Sequence, residues 1–264
     1  AFLAELKQKF EITHYQFMKY LIILFIILVS GLYLNRAYAH IYKTLKAKNL
    51  ANPTVSQVMV PPFSANAFTK KIVYVALGDS LTAGVGATAE DKTYPYRLAK
   101  LLTEKQNAQV TVVNLGWPGA TAEDVLKIQV PQAAQFHPDI ITIAIGVNDM
   151  HNQVPLKFFQ NTMSGIADKL AGTAKHLNVI NVPYLGSGSV FLPPYRLYFA
   201  WQTKRYNSAI NNALAGRQVK HIDLYSLTRE KEFTDPLYYA ADNFHPSDEG
   251  YDLWSKIIYD NLDY

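Results

Sequence analysis

A serine, an aspartate and a histidine in this sequence have the types and spacing needed for nucleophilic catalysis. Ser80 stands in "VALGDSLTAG", residues 75 to 84, directly after an apolar run that ends at Gly78. A serine hydroxyl is a weak nucleophile at neutral pH unless a base lies within hydrogen-bonding distance. "ADNFHPSDEG" supplies His245 as a candidate base, with Asp242 three residues before it. Two simpler interpretations exist, since a serine after a strand often only completes a turn and an Asp can cap a helix.

The elements that must position these side chains follow from the hydrophobic pattern after Lys71. Short β-branched runs occur there, most of them stopping at Gly or a polar residue: "KIVYVALG", "AQVTVVNLG", "PDIITIAIG", "LNVINVPYLG" and "VKHIDLYSL". Helix-like stretches lie between them: Tyr94 to Gln106, Ala122 to Gln135, Leu156 to His176 and Trp201 to Ala215. Strands that alternate with helices predict an α/β fold, with a parallel sheet covered by helices on both faces.

The residues that follow the strands are the candidates for a site, because ligands bind beyond the carboxyl ends of strands in open parallel sheets. These positions hold "GDSL" at 78–81, "NLGWPG" at 114–119 and "GVND" at 146–149, and "DNFH" follows at 242–245 near the C-terminus. A serine, a histidine, an aspartate, an asparagine and two glycine-bearing turns are thus expected on one edge. That set of groups is the one a serine hydrolase requires.

These four blocks resemble the signature blocks of the GDSL, or SGNH, hydrolases in their order and approximate spacing. The text "GDSLTAGVGA", followed by "TYPYRLAKLL", looks most like the bacterial lysophospholipase, thioesterase and esterase branch. The resemblance spans roughly Lys71 to the C-terminus. It implies a three-layer α/β/α sandwich with a parallel, flavodoxin-like sheet.

The resemblance also implies a role for each motif residue. Ser80 would be the nucleophile, His245 its base, and Asp242 the group that orients the imidazole. The oxyanion hole would consist of the backbone N–H groups of Ser80 and Gly119 and the side-chain amide of Asn148. Asp223 also ends a strand and is a rival for the triad acid, but only Asp242 has a histidine at a short fixed offset.

Candidates for substrate contacts are less sharply defined. Asp79 and His151 adjoin the first and third blocks, although Asp79 also suits the ordering of a turn. Phe191 lies in "GSGSVFLPPYRLYFAW", residues 186 to 201, an apolar stretch that could cover an acyl chain or simply cap the sheet. We therefore expect a serine esterase or lipase acting on lipid-like or medium-chain acyl esters. The alternatives are a carbohydrate O-acetyl esterase and a catalytically inactive hydrolase fold, tethered to the membrane, that only binds a ligand.

Other classes of function find little support. "GVGATA", residues 84 to 89, fits a dinucleotide loop, but it opens no immediate helix and the next strand ends at Asn114 rather than at an acid. The chain has no cysteine, which excludes disulfides and thiolate metal sites. We expect no cofactor and no metal, no nucleic-acid partner, and a monomer.

The positive charge of the chain is concentrated at its N-terminus. The 264 residues carry a net charge of +4, but residues 1–48 alone hold seven Lys or Arg and two Glu, which leaves 18 basic and 19 acidic residues elsewhere. Charge beside a hydrophobic segment is typical of a membrane surface. The sequence predicts an anchor or signal-peptide region at 1–48, a proline-containing linker at 49–70, and a hydrolase domain at 71–264.

The hydrophobic segment itself, Tyr20 to Leu34, has two interpretations. It can span a membrane if its flanks extend it, or it can be a signal peptide cleaved after "AYA", residues 37–39. Both predict a bacterial protein on the extracytoplasmic side, either membrane-anchored or secreted. The basic residues are slightly more numerous after the segment than before it, which runs against export.

Overall fold

A six-stranded β-sheet lies at the centre of the computed structural model, which describes residues 2–46, 56–60, 70–184, 190–232 and 235–264. Its strands are β1 (Ser56–Val60), β2 (Lys70–Gly78), β3 (Ala108–Asn114), β4 (Ile140–Ala144), β5 (His176–Ile180) and β6 (Lys220–Ile222). Across the sheet they run in the order β1-β3-β2-β4-β5-β6. The last five are parallel to one another, and Tyr74 of β2 pairs with Val112 of β3 on one side and Ile140 of β4 on the other.

This order confirms the predicted flavodoxin-like sheet. The chain leaves β2 toward one side for β3 and returns on the other side of β2 for β4. The carboxyl end of β2 is therefore the topological switch point, where an open parallel sheet forms its ligand crevice.

Helices cover both faces of the sheet and complete the three layers. They are α2 (Ser80–Ala83), α3 (Tyr94–Gln106), α4 (Ala122–Asp124), a π-helical segment (Val125–Gln129), α5 (Val130–Ala134), α6 (Val147–His151), α7 (Leu156–Leu170), α8 (Tyr195–Leu214), α9 (Leu224–Glu232) and α10 (Asp248–Asn261). Helix α3 packs on α10, and α7 packs on α8. The central strands are largely apolar, as in Val75 to Leu77 and in Ile140 to Ile143, where Thr142 is the one polar side chain, because both of their faces are covered.

Part of the segment that we expected to be a linker forms an edge strand instead. Residues Ser56–Val60 pair antiparallel with β3, with Ser56 opposite Asn114 and Val60 opposite Val110. The run is only five residues long and lies between Pro53 and Pro61, so it was too short to show a clear alternation. Lys70, the last residue of the predicted linker, begins β2, and residues 49–55 and 61–69 lie outside the described part of the chain.

A single long helix, α1 (Phe2–Lys46), contains the predicted hydrophobic segment. Within the described residues it is the one helix long and apolar enough to cross a membrane, over the 33 residues Lys9–Ile41. A signal sequence near an N-terminus meets the same criteria. Its apolar side chains are exposed along the run, but Ala37 and Ile41 near its C-terminal end are buried.

Candidate active site

Ser80, His245 and Asp242 lie side by side at the carboxyl end of β2. The His245 Nε2 atom is 3.0 Å from Ser80 Oγ, and its Nδ1 atom is 2.7 Å from Asp242 Oδ2. All three residues are buried, with only small parts of their surfaces exposed. The fold therefore brings together a hydroxyl and an imidazole that are 165 residues apart in the chain.

The end of β2 and the start of α2 fix the position of Ser80. Asp79 caps α2 by accepting a hydrogen bond from the Leu81 N–H, 3.0 Å away, and Ser80 is the first residue of the helix. Its N–H is thus one of the amide groups that a helix leaves without an intrahelical partner. Gly78, just before, has φ +155°, and a Cβ there would come within 2.2 Å of both the Ala144 carbonyl and the Thr82 hydroxyl. No larger residue fits at this position.

A buried glutamine that sequence reasoning missed holds this turn in place. Gln129, in the π-helical segment, accepts a hydrogen bond from the Gly78 N–H through Oε1 and donates one to the Gly78 carbonyl through Nε2, both at 2.8 Å. The side chain thus bonds both backbone groups of the residue two positions before Ser80. A glutamine within "VLKIQVPQAA" gives no local signal of this role.

A tight turn presents Asp242 and His245 together. Asp242 Oδ1 accepts hydrogen bonds from the Phe244 and His245 N–H groups, each at 3.0 Å, while Oδ2 faces the imidazole. Asn243 adopts a left-handed conformation with φ 56°. Burial opposes ionisation of Asp242, but the hydrogen bond from His245 and the two backbone donors outweigh it, so its pKa is lowered. An ionised carboxylate at Nδ1 favours the tautomer that leaves Nε2 free to accept the Ser80 proton.

Gly119, in the loop after β3, and Asn148, in α6 after β4, reach the same place. Both line a cavity of about 230 Å³ together with Ser80 and His245. Gly119 has φ +88°, which glycine adopts without strain. Asn148 donates one amide N–H to the Ala120 carbonyl at 2.9 Å, and this bond fixes the side chain beside the Gly119 loop.

The remaining cavity wall is mostly apolar. Its other lining residues are Pro118, Val147, Met150, His151, Phe191, Phe199 and Phe244. Phe191 is buried and packs with ring centroids 4.6 Å from Phe199 and 5.9 Å from Phe244. His151 is exposed at the rim. Of the stretch 186–201, residues 186–189 lie outside the described part of the chain, and helix α8 begins at Tyr195, six residues before its predicted start.

Two acidic residues that we considered for the site have other positions. Asp79, a candidate substrate contact, is fully buried and does not line the cavity, because its carboxylate caps α2 by accepting the Leu81 N–H. Asp223, the rival triad acid, accepts hydrogen bonds from Asn181 Nδ2 at 2.7 Å and from the Ser226 N–H at 3.1 Å. It therefore orders the start of α9.

Comparisons with known proteins show the family to which the chain belongs. Residues 76–253 match the model of the GDSL-like lipase/acylhydrolase family. The spore germination lipase LipC of Bacillus licheniformis is 26% identical over 209 residues, a match that covers 70% of this chain and 93% of LipC.

Solved structures show the same fold at lower sequence identity. The acetylxylan esterase Axe2 of Geobacillus stearothermophilus superposes with a TM-score of 0.57 at 19% identity, covering 73% of this chain and 94% of Axe2. TesA superposes with a TM-score of 0.60 at 18% identity, covering 72% of this chain and 98% of TesA. Together with the four sequence blocks and the family match over most of the chain, these findings establish that the protein belongs to the GDSL-like lipase/acylhydrolase family.

Proposed function

We propose that this protein is a serine hydrolase that cleaves acyl esters through an acyl-Ser80 intermediate. The observation that carries the proposal is the continuous hydrogen-bonded path from Ser80 Oγ through His245 to Asp242. This path opens onto a cavity large enough for part of an acyl chain. Membership of the family supports ester hydrolysis as the reaction type.

Acylation uses His245 first as a base and then as an acid. Nε2 takes the Ser80 proton as Oγ attacks the carbonyl carbon of the ester, which gives a tetrahedral intermediate. The intermediate collapses, the bond from carbon to the alkoxy oxygen breaks, and His245 returns the proton to the departing alcohol. Asp242 stays ionised and stabilises the imidazolium between these two steps.

Deacylation repeats the sequence with water. His245 takes a proton from a water molecule whose oxygen attacks the acyl-Ser80 carbonyl. The second tetrahedral intermediate releases the carboxylic acid, and the proton passes from His245 to Ser80 Oγ. The enzyme returns to its starting state, so hydrolysis consumes only the ester and one water.

Three donors suit the oxyanion that forms in both intermediates. They are the Ser80 N–H at the start of α2, the Gly119 N–H and the second N–H of the Asn148 amide. Donors that are fixed before the reaction stabilise developing charge without reorganising. The bond from Asn148 to Ala120 is what fixes the third of them.

For location, we propose a membrane-anchored enzyme that keeps helix α1. The helix continues without a break through Ala39, and Ala37 is buried just before that position. The Tyr38 ring also lies 6.3 Å from the ring of Tyr195 in α8. Cleavage after Ala39 would remove these contacts, so they favour retention over release. We also propose that the domain lies on the extracytoplasmic side, as the signal-like N-terminal segment predicts.

The nucleophile is tested with purified protein and a soluble nitrophenyl ester. Ser80→Ala is expected to lower turnover by about three orders of magnitude or more, and Asn148→Ala by about two to three orders. The matched control is Ser208→Ala, an exposed serine on α8 that is expected to leave turnover unchanged. A serine-reactive phosphonate should add its mass to Ser80 in the wild type. Activity retained in Ser80→Ala would contradict the proposed mechanism.

For the substrate class, we propose lipid-like or medium-chain acyl esters, since Phe191, Phe199 and Phe244 wall the cavity beside Ser80. The ratio of octanoyl to acetyl ester hydrolysis should exceed one in the wild type and shrink in Phe191→Ala. Loss of one pocket contact is worth at most about 1–3 kcal/mol. The ratio of the two ester rates is measured because a smaller folded fraction of the variant lowers both rates equally and leaves their ratio unchanged. A preference for acetyl groups that ignores the Phe191 change, with turnover of an acetylated sugar, would favour a carbohydrate O-acetyl esterase instead.

A further inference from the structure

The first turns of α8 carry an exposed apolar face. Leu197, Tyr198 and Trp201 are 72%, 39% and 53% exposed, and Pro194 just before them is exposed as well. Leu197 and Tyr198 lie four and three residues before Trp201, which places both of them beside it on the helix surface. The guanidinium of Arg205, one turn further on, stacks 4.4 Å above the Trp201 ring. Single exposed apolar residues are ordinary, but a contiguous aromatic face marks an interaction surface.

The opposite side of the same turns faces the interior. Thr203 and Tyr206 are buried, and Phe199 lines the cavity that contains Ser80. One short stretch of helix therefore lies between the outer surface and the wall of the proposed acyl site.

Contacts with α1 show where this surface lies relative to the hydrophobic segment. The Tyr195 hydroxyl donates to the Leu34 carbonyl at 3.4 Å, and the Tyr195 and Tyr38 rings are in contact. Leu34 is the last residue of the apolar run, and Asn35 and Arg36 follow it. If the run lies in the bilayer core, its end marks the level of the lipid headgroups, and the first turn of α8 lies at that level.

We propose that Leu197, Tyr198 and Trp201, called here the α8 surface, dock on the lipid bilayer beside α1. Tyr and Trp are the residues that favour the membrane interface, and Leu197 can enter the acyl region. A bilayer rather than a partner protein is the occupant because Tyr195, in the same turn of α8, contacts the proposed membrane helix at the end of its apolar run. The ester substrate then passes from the membrane along Phe199 to Ser80. The inference rests on the proposed function and adds the source of its substrate.

Docking itself is measured on the full-length chain in phosphatidylcholine vesicles with and without bromine-labelled acyl chains. The chain has three tryptophans, of which Trp254 is buried and Trp117 lies two residues before Gly119. Brominated chains are expected to quench the wild-type emission, and Trp201→Phe should remove most of that quenching. The quenching should not depend on the ratio of protein to lipid. Equal quenching in the two proteins would overturn the proposal, and so would quenching that changes with protein density, because a second copy would then cover the surface.

Substrate delivery is measured with two esters in the same vesicles. Leu197→Asp is expected to lower hydrolysis of nitrophenyl palmitate held in the bilayer by about tenfold, because a charge is excluded from the acyl region. Hydrolysis of soluble nitrophenyl acetate should stay within about twofold, since Leu197 lies outside the cavity wall. The matched control is Tyr264→Asp, an exposed aromatic beside Tyr259 at the C-terminus, which should change neither rate.

The outcomes separate this inference from the proposed function. A wild type that hydrolyses neither ester would refute the proposed function, and the quenching experiment would still decide whether the α8 surface docks. A Leu197→Asp enzyme with unchanged rates on both esters would overturn delivery from the bilayer while leaving ester hydrolysis intact.

Discussion

Asp79, directly before the nucleophile, is a fully buried carboxyl whose pKa is raised to about 7, first by burial and also by the nearby Asp149. Its ordinary value is 3.8, so between about pH 4 and pH 7 the folded state binds more protons than the unfolded state. The contribution of Asp79 to stability therefore falls as pH rises through that window. The side chain introduced by Asp79→Asn does not ionise, so the variant lacks this dependence on pH. The difference in melting temperature, Asp79→Asn minus wild type, should become more positive from pH 4.5 to pH 7.5.

The control for this prediction is Asp168→Asn on the surface. The hydrogen bond from Arg217 lowers the pKa of Asp168, so its stabilising effect is lost only at pH values below the ordinary range of Asp. The melting temperature of Asp168→Asn minus that of the wild type should therefore not change with pH above pH 4.5. A flat profile for Asp79→Asn would show that Asp79 is ionised in the folded protein across this range.

Among the elements, the strand ends near the site depend on buried amide side chains. Gln129 bonds both backbone groups of Gly78, and Asn207 of α8 does the same for Val182 beyond β5, accepting from its N–H and donating to its carbonyl at 2.9 Å each. Each amide ties a helical segment to the backbone at or just beyond the end of a strand. The position of Ser80 is thus set from the helical layer as well as from its own strand.

Removing one of these amides should destabilise the fold. Gln129→Leu leaves the buried Gly78 N–H without a partner, while the Gly78 carbonyl keeps the Trp117 N–H at 3.2 Å. The free energy of unfolding should fall by about 1–3 kcal/mol in urea titrations. The control Gln135→Leu, at an exposed glutamine just after α5, should change it by less than about 0.5 kcal/mol. Equal values for the two variants would show that the amide contributes nothing to stability.

At the scale of the whole molecule, helix α1 contacts the hydrolase domain and stays attached to it if the chain is not cleaved. Mass spectrometry of the mature protein should find residues before Ala39, because the contacts of Ala37 and Tyr38 favour an uncleaved chain. A mature N-terminus at His40 would show cleavage.

The side of the membrane is tested separately. Protease added to intact cells should digest the domain, with a cytoplasmic protein as the protected control. A domain that resists digestion until lysis would place it on the cytoplasmic side, as the charges around the helix favour.

The sequence by itself determined the fold class and the family. Alternating strand and helix patterns predict a covered parallel sheet, because burial on both faces leaves a continuous apolar run in each strand. The ends of those runs pointed to the segments that hold Ser80, Gly119 and Asn148, and a short local spacing favoured Asp242 over Asp223. These features can be recognised in the sequence because each depends on only a few consecutive residues.

Only the tertiary structure decided the features that depend on distant partners. The antiparallel pairing of β1, the bonds of Gln129 to Gly78, the burial of Asp79 and the outward face of α8 all join segments far apart in the chain, or depend on what covers them. The hydrophobic pattern of a sequence indicates which apolar residues are buried, but it does not identify the partner of a polar side chain. A glutamine that bonds a strand end and a glutamine exposed to water therefore look alike in sequence, and only the fold distinguishes them.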